Sequence, residues 1–186
     1  MTTGKYVAFR RRREGKTDYK KRRLLLSSRE NIRLVIRTSL KHTLCQLITY
    51  EPQGDKVLIT IDSKALIKLG WPYHTGSVPA AYLTGILLGK KAKEKKITQA
   101  ILDIGLHPSI KGNRVYAAAK GAQDAGLQLS LEEEMVGDKA RLQGTHIAAY
   151  AKQLKKENKF AQVFKGKQDP EQIPGMVATL KQKIMG

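Results

Sequence analysis

One cysteine, Cys45, stands among 186 residues, so no internal disulfide can form, and a reducing cytosol is the simplest expectation. Cys45 lies in a strand-like apolar stretch, where a buried inert thiol is expected rather than a nucleophile. Aromatic residues make up only 6% and tryptophan occurs once, which argues against a large aromatic-lined ligand pocket. No apolar run approaches the roughly 20 residues of a membrane-spanning helix. No apolar stretch follows the N-terminal charges, so a secretory leader is not expected. Histidines are few and scattered: His42, His74, His107 and His146 share no ligand spacing, so neither a structural metal nor a cofactor is expected. Acids are scarce as well. Asp+Glu number 16 against Lys+Arg 35, a formal net charge of +19. A pI near 10.1 calls for a polyanionic partner, nucleic acid ahead of an anionic membrane.

The charge is concentrated near the N-terminus. Arg10, Arg11, Arg12, Arg13, Lys16, Lys20, Lys21, Arg22 and Arg23 follow one another with Thr17 among them and only Glu14 and Asp18 in opposition. Such a block has no apolar period to bury and is expected to stay extended until a polyanion neutralises it. Arginine's planar fork suits phosphate, and Phe9 and Tyr19 add ring faces on which an unpaired base can stack. Leu24, Leu25 and Leu26 offer the first apolar anchor, a short helical turn that could pin the arm to the body.

From Ile32 to Leu40 the pattern alternates, with Leu34, Ile36 and Thr38 on one face and Arg33, Val35, Arg37 and Ser39 on the other. The arginines are therefore expected outside, joining Lys41 and the arm in one basic surface. Thr43 to Tyr50 and Val57 to Asp62 complete a meander around the turn cluster Glu51–Asp55. Ala65 to Leu69 reads as one helical turn. The loop from Gly70 to Gly76 carries Trp71, Tyr73 and His74. Trp71 and His74 are candidate stacking groups there, although Trp71 could equally plug the core. Ser77 caps a helix with Pro79 in its first turn, and the helix ends in a lysine cluster, Lys90 to Lys96. Ala100 to Gly105 reads as a fourth strand, parallel to one of the meander because a helix separates them. A second helix runs from Arg114 to Ala125 with Gly126 as its stop. A third, capped by Thr145, runs from His146 to Lys156 with Ile147, Tyr150, Ala151 and Leu154 on one face. Phe160 and Phe164 sit in a basic segment. Asp169-Pro170 and Pro174-Gly175 should break the chain before a last helix at Met176 to Ile184.

Catalytic motifs fail on spacing. Gly15-Lys16-Thr17 resembles the end of a phosphate-binding loop, but Arg10 occupies the place of the required glycine and no strand precedes it. Asp62 and Asp103 fall at strand ends, where a metal-dependent nuclease can place carboxylates, and this is the competing enzymatic reading. A DNA architectural role is a third.

Four blocks carry a family resemblance. Arg10-Arg11-Arg12-Arg13-Glu14-Gly15-Lys16-Thr17-Asp18-Tyr19 resembles the N-terminal signature of the archaeal and eukaryotic-type large-subunit ribosomal protein family number eighteen. The stretch from Pro79 to Ala92 is similar to that family's first helix. Ile101 to Leu106 with Gly112 to Leu127 resembles its fourth strand and second helix, and Arg141 to Tyr150 its archaeal C-terminal segment. The loop at Trp71 to His74 departs from the family's glycine- and lysine-rich loop. The resemblance implies an α/β fold with helices packed on a mixed β-sheet and a basic extended N-terminal arm. The expected division is an arm over 1–26, an RNA-binding core over 27–130 and a helical C-terminal segment over 131–186. It further implies a non-catalytic constituent of the large ribosomal subunit. Its partners would be 5S rRNA, 23S rRNA and neighbouring proteins of the central protuberance.

Overall fold

A computed structural model describes residues 7–27, 32–156 and 169–186. Three strands form the expected meander: β1 (Ile32–Thr38), β2 (Thr43–Thr49) and β3 (Lys56–Asp62), paired antiparallel. The short strand β4 (Ile101–Asp103) then joins the free side of β1 in parallel, giving the order β3-β2-β1-β4. The mixed sheet is thus the one that the strand-helix-strand order required.

Leu34 and Ile36 of β1, Cys45 and Leu47 of β2, and Ile59 and Ile61 of β3 line one face and are almost fully buried. Against them pack α4 (Val78–Glu94) and α5 (Arg114–Asp124). The Ser77 hydroxyl accepts from the Ala80 amide at the start of α4, with Pro79 in the first turn. These two helices nearly touch backbones: a Cβ on Gly85 would collide with the Ala118 carbonyl, and one on Gly121 with the Tyr82 carbonyl. Glycine and alanine face each other there because nothing larger fits, and close helix packing seats both firmly on the sheet. The Cys45 thiol is buried, and burial together with Asp62 pushes its pKa up to about 12, so it is protonated and inert as expected.

Smaller elements close the molecule. A single turn, α3 (Ala65–Lys68), precedes α4, while α6 (Glu133–Val136), α7 (Lys139–Gln143) and α8 (Thr145–Lys156) follow α5. The last helix, α9 (Ile173–Met185), sends Ile173, Val177, Leu180 and Ile184 into the same core as α4.

Several expectations need correction. Pro174 does not break the chain: it sits in the first turn of α9, where its missing N–H costs nothing. On α8 Ala151 and Leu154 are buried as expected and Ile147 packs against the core, but Ala148 joins them in place of Tyr150, which is half exposed. The arm is not wholly extended. It forms α1 (Arg10–Arg13) and α2 (Tyr19–Leu26), neither with a buried residue. Local chemistry holds them: the Asp18 carboxylate accepts from the Lys20 and Lys21 amides at 3.0 and 3.1 Å and caps α2. The Phe9 and Tyr19 rings meet at 6.1 Å. Phe160 and Phe164 lie outside the described residues.

Candidate nucleic-acid interface

The arm presents its cations to solvent. Arg10, Arg11, Arg12 and Arg13, then Lys16, Lys20, Lys21 and Arg23, are all exposed. Glu14 pairs with Arg10 at 3.6 Å and with Lys16 at 2.7 Å. Arg11, Arg12, Arg13, Lys20, Lys21 and Arg23 have no carboxylate partner among the described residues. Thr17 is half-buried beside them. Exposed guanidinium and ammonium groups at this density make a strongly positive surface, of the kind that phosphate neutralises.

Arg22 behaves differently. Its Nη2 donates to both carboxylate oxygens of Asp55 at 2.9 Å and ties α2 to the β2–β3 turn. Asp55 is also 2.9 Å from Arg33 Nη2. That approach is ionic rather than a directed hydrogen bond, and Arg33 Nε is buried with no acceptor. Burial alone would raise the Asp55 pKa, but the hydrogen bonds from Arg22 and the adjacent Arg33 guanidinium outweigh it and hold it below its ordinary 3.8. On its other side Arg33 donates from Nη1 to Asp103 at 2.9 Å, and Arg37 Nη2 reaches the second Asp103 oxygen at 3.1 Å. The result is an alternating chain, Arg22–Asp55–Arg33–Asp103–Arg37, across the sheet face remote from α4.

This chain corrects the outward placement of Arg33. Arg33 is only 2% exposed, because β4 sets Asp103 beside β1 and the Asp55 turn encloses the other end of the guanidinium. Such a buried arginine is fixed by carboxylates and offers no fork to a phosphate. Arg37 keeps 40% of its side-chain surface. Trp71 is also corrected: it is 2% exposed and meets Tyr73 edge-on at 5.3 Å, so it plugs the core and offers no stacking face. His74 and Lys41 are exposed, but their local bonds shape the loops. His74 Nδ1 accepts from the Gly76 amide, and the Lys41 carbonyl accepts from Thr75. In the lysine cluster at the end of α4, Lys95 donates to the Leu58 carbonyl at 2.7 Å.

The nuclease reading loses its geometry. Asp62 and Asp103 stand on the two outermost strands, three strand spacings or about 14 Å apart, too far to share an ion. Asp62 accepts from the Lys64 amide, and Asp103 is taken up by two arginines. Among the described residues no three metal-ligating side chains converge.

Between the arm and β4 runs a groove of about 720 Å³. Arg11, Lys16, Lys21 and Arg22 line it from the arm, Arg37 from β1, and Ile101, Leu102 and Ile104 form its apolar side. Sequence reasoning missed Asp55, because a turn aspartate carries no mark of the two arginines it faces. It also missed Gly105 and His107. The Gly105 amide donates to Asp103 at 2.9 Å, and His107 Nε2 accepts from the Thr38 amide at 3.3 Å. The expected parallel pairing of the fourth strand with one of the meander was the one available signal for the arginine–aspartate pairs, and the structure makes that partner β1.

A family model described as "Ribosomal large subunit proteins 60S L5, and 50S L18" matches residues 5–99 and 90–132, which include the arm, all four strands, α4 and α5.

Proposed function

The chain belongs to the family of ribosomal large-subunit proteins 60S L5 and 50S L18, and from that premise we propose that it binds 5S rRNA and helps attach it to 23S rRNA in the central protuberance. Membership makes it an rRNA-binding structural component of the large subunit. The finer assignment rests on one observation above all. Six arm cations stand exposed without carboxylate partners among the described residues, on a scaffold anchored to the body through Arg22 and Asp55.

Mechanistically the arm acts through phosphates. It releases condensed counterions from the RNA when it docks, so its affinity falls steeply with salt. The capped α2 holds part of the arm in shape before RNA arrives, which lowers the ordering cost of binding. Neighbouring proteins of the central protuberance complete the attachment, and the exposed acidic run Glu132–Glu134 suits a basic one. No catalytic step is assigned to any residue.

A footprint of the chain on 5S rRNA tests the reading. Protection of a contiguous RNA region that disappears when residues 1–26 are removed is the expected result. Equal binding to duplex DNA, or an unchanged footprint after removal, would refute it.

A further inference from the structure

Arg37 is built unlike any arm arginine. Both hydrogens of its Nη1 are engaged, with the Ile36 and Asp103 carbonyls each at 2.8 Å. Nη2 donates to Asp103 Oδ1 at 3.1 Å. Three of five N–H groups are thus held by the protein, and the guanidinium plane cannot rotate. It shares the Asp103 carboxylate with Arg33.

Gly105 lies under one face of that plane. A Cβ built on Gly105 would stand 2.8 Å from Arg37 Cζ and 3.0 Å from each of Nη1 and Nη2. An atom approaching in the plane between the two nitrogens would be farther from Cζ than from them. Near-equal distances with Cζ shortest place it over the face. Gly105 also has φ +63°, a left-handed conformation that glycine alone adopts without strain. The backbone is therefore pressed against one side of the guanidinium. The exposed remainder of Arg37 opens on the groove between the arm and β4, whose rim holds Arg11, Lys16 and Lys21.

We propose that the Arg37 guanidinium is a fixed stacking plate for one unpaired nucleobase of the bound RNA. The flanking phosphates of that nucleotide are then held by Arg11, Lys16 and Lys21. With Gly105 on one face, the surface that Arg37 keeps is taken as the opposite face, and a fixed guanidinium plane is a surface on which a splayed base stacks. The apolar side of the groove, Ile101, Leu102 and Ile104, removes water from the base's edge. The cationic rim fits a nucleotide and opposes a basic peptide. This proposal deepens the RNA-binding reading and rests on it.

The test is a cycle between protein and RNA, using the full chain and 5S rRNA whose unpaired nucleotides are made abasic one at a time. At one position the abasic RNA should lose about tenfold in affinity for the wild-type chain, the size of one base stack. The same RNA should lose less than twofold for Arg37→Lys, which keeps the charge but lacks the plane. Gly105→Ala, which drives a methyl against the covered face and displaces the plate, should resemble Arg37→Lys. If every abasic position costs wild type and Arg37→Lys equally, the plate is overturned while the arm's role stands. A salt slope that falls for Arg37→Ala, with full affinity in Arg37→Lys, would make Arg37 a phosphate ligand and also overturn it. Failure of the wild-type chain to bind 5S rRNA at all would overturn both the plate and the reading beneath it.

Discussion

Arginine serves two opposite ends in this protein, and the contrast between the arm and β1 shows what separates them. Arg11, Arg12 and Arg13 stand in water without a carboxylate partner among the described residues. Arg33, on β1, is enclosed by Asp55 and Asp103. The side chain is the same, and its surroundings decide whether it attracts phosphate or holds a sheet together. An exposed cation adds little to stability and much to polyanion affinity. A buried one is neutralised by its own protein, and its removal is felt in folding.

The largest effect that can sharpen this contrast is at Asp103. Asp103→Ala leaves Arg33 buried with one of its two counter-ions gone and should cost about 3–5 kcal/mol, read by urea denaturation. Replacing Arg10 to Arg13 with glutamine should leave the same measurement within about 0.5 kcal/mol, since neither α1 nor α2 buries a residue. Equal losses from the two changes would erase the distinction.

A smaller effect is local to the arm. Asp18→Ala removes the cap of α2 and should cost that helix about 1 kcal/mol. Hydrogen exchange at the Lys20, Lys21 and Arg22 amides should quicken while the global melt stays put. A lowered global melt would mean that α2 is part of the folded core.

The smallest effect is in acid. The Asp55 pKa is held below its ordinary 3.8 in the folded chain. A depressed carboxylate gives stability that is present above the unfolded value and lost as pH falls through the folded one. Above about pH 5 the melting temperature should therefore owe nothing to Asp55 protonation. As pH falls from about 5 through the unfolded value and on toward the folded one, wild type should lose more than Asp55→Asn. Parallel curves throughout would show that the carboxylate is not paired in solution.

Much of the scaffold was legible because its signals are periodic. Leu34 and Ile36 alternate toward the core, Ser77 and Pro79 start a helix, and the helix before Ile101 forces a parallel strand. The candidate site was half legible. The arm's cations declare themselves by density, and no buried partner hides them. Arg33 and Trp71 misled for a common reason: period and composition say which face a residue takes, and what covers that face comes from elsewhere in the chain. For Arg33 the cover is Asp55, 22 positions on, and Asp103, 70 positions on. Asp18 was written into the arm beside Tyr19 as a cap, but the weight of surrounding charge obscured it. Gly105 carries no mark in the sequence, because its role is to lie against one guanidinium face set by the fold.

The most direct measurement is the dependence of 5S rRNA affinity on salt for two variants. One carries glutamine at Arg10 to Arg13, and the other is Arg33→Met, which keeps volume and removes one buried cation. The arm variant should lower the log–log slope by roughly 0.7 to 0.9 for each phosphate it no longer neutralises. Arg33→Met should leave the slope of wild type unchanged. A reduced slope in Arg33→Met with an unaltered slope in the arm variant would contradict the account, because it would place phosphate binding on the sheet.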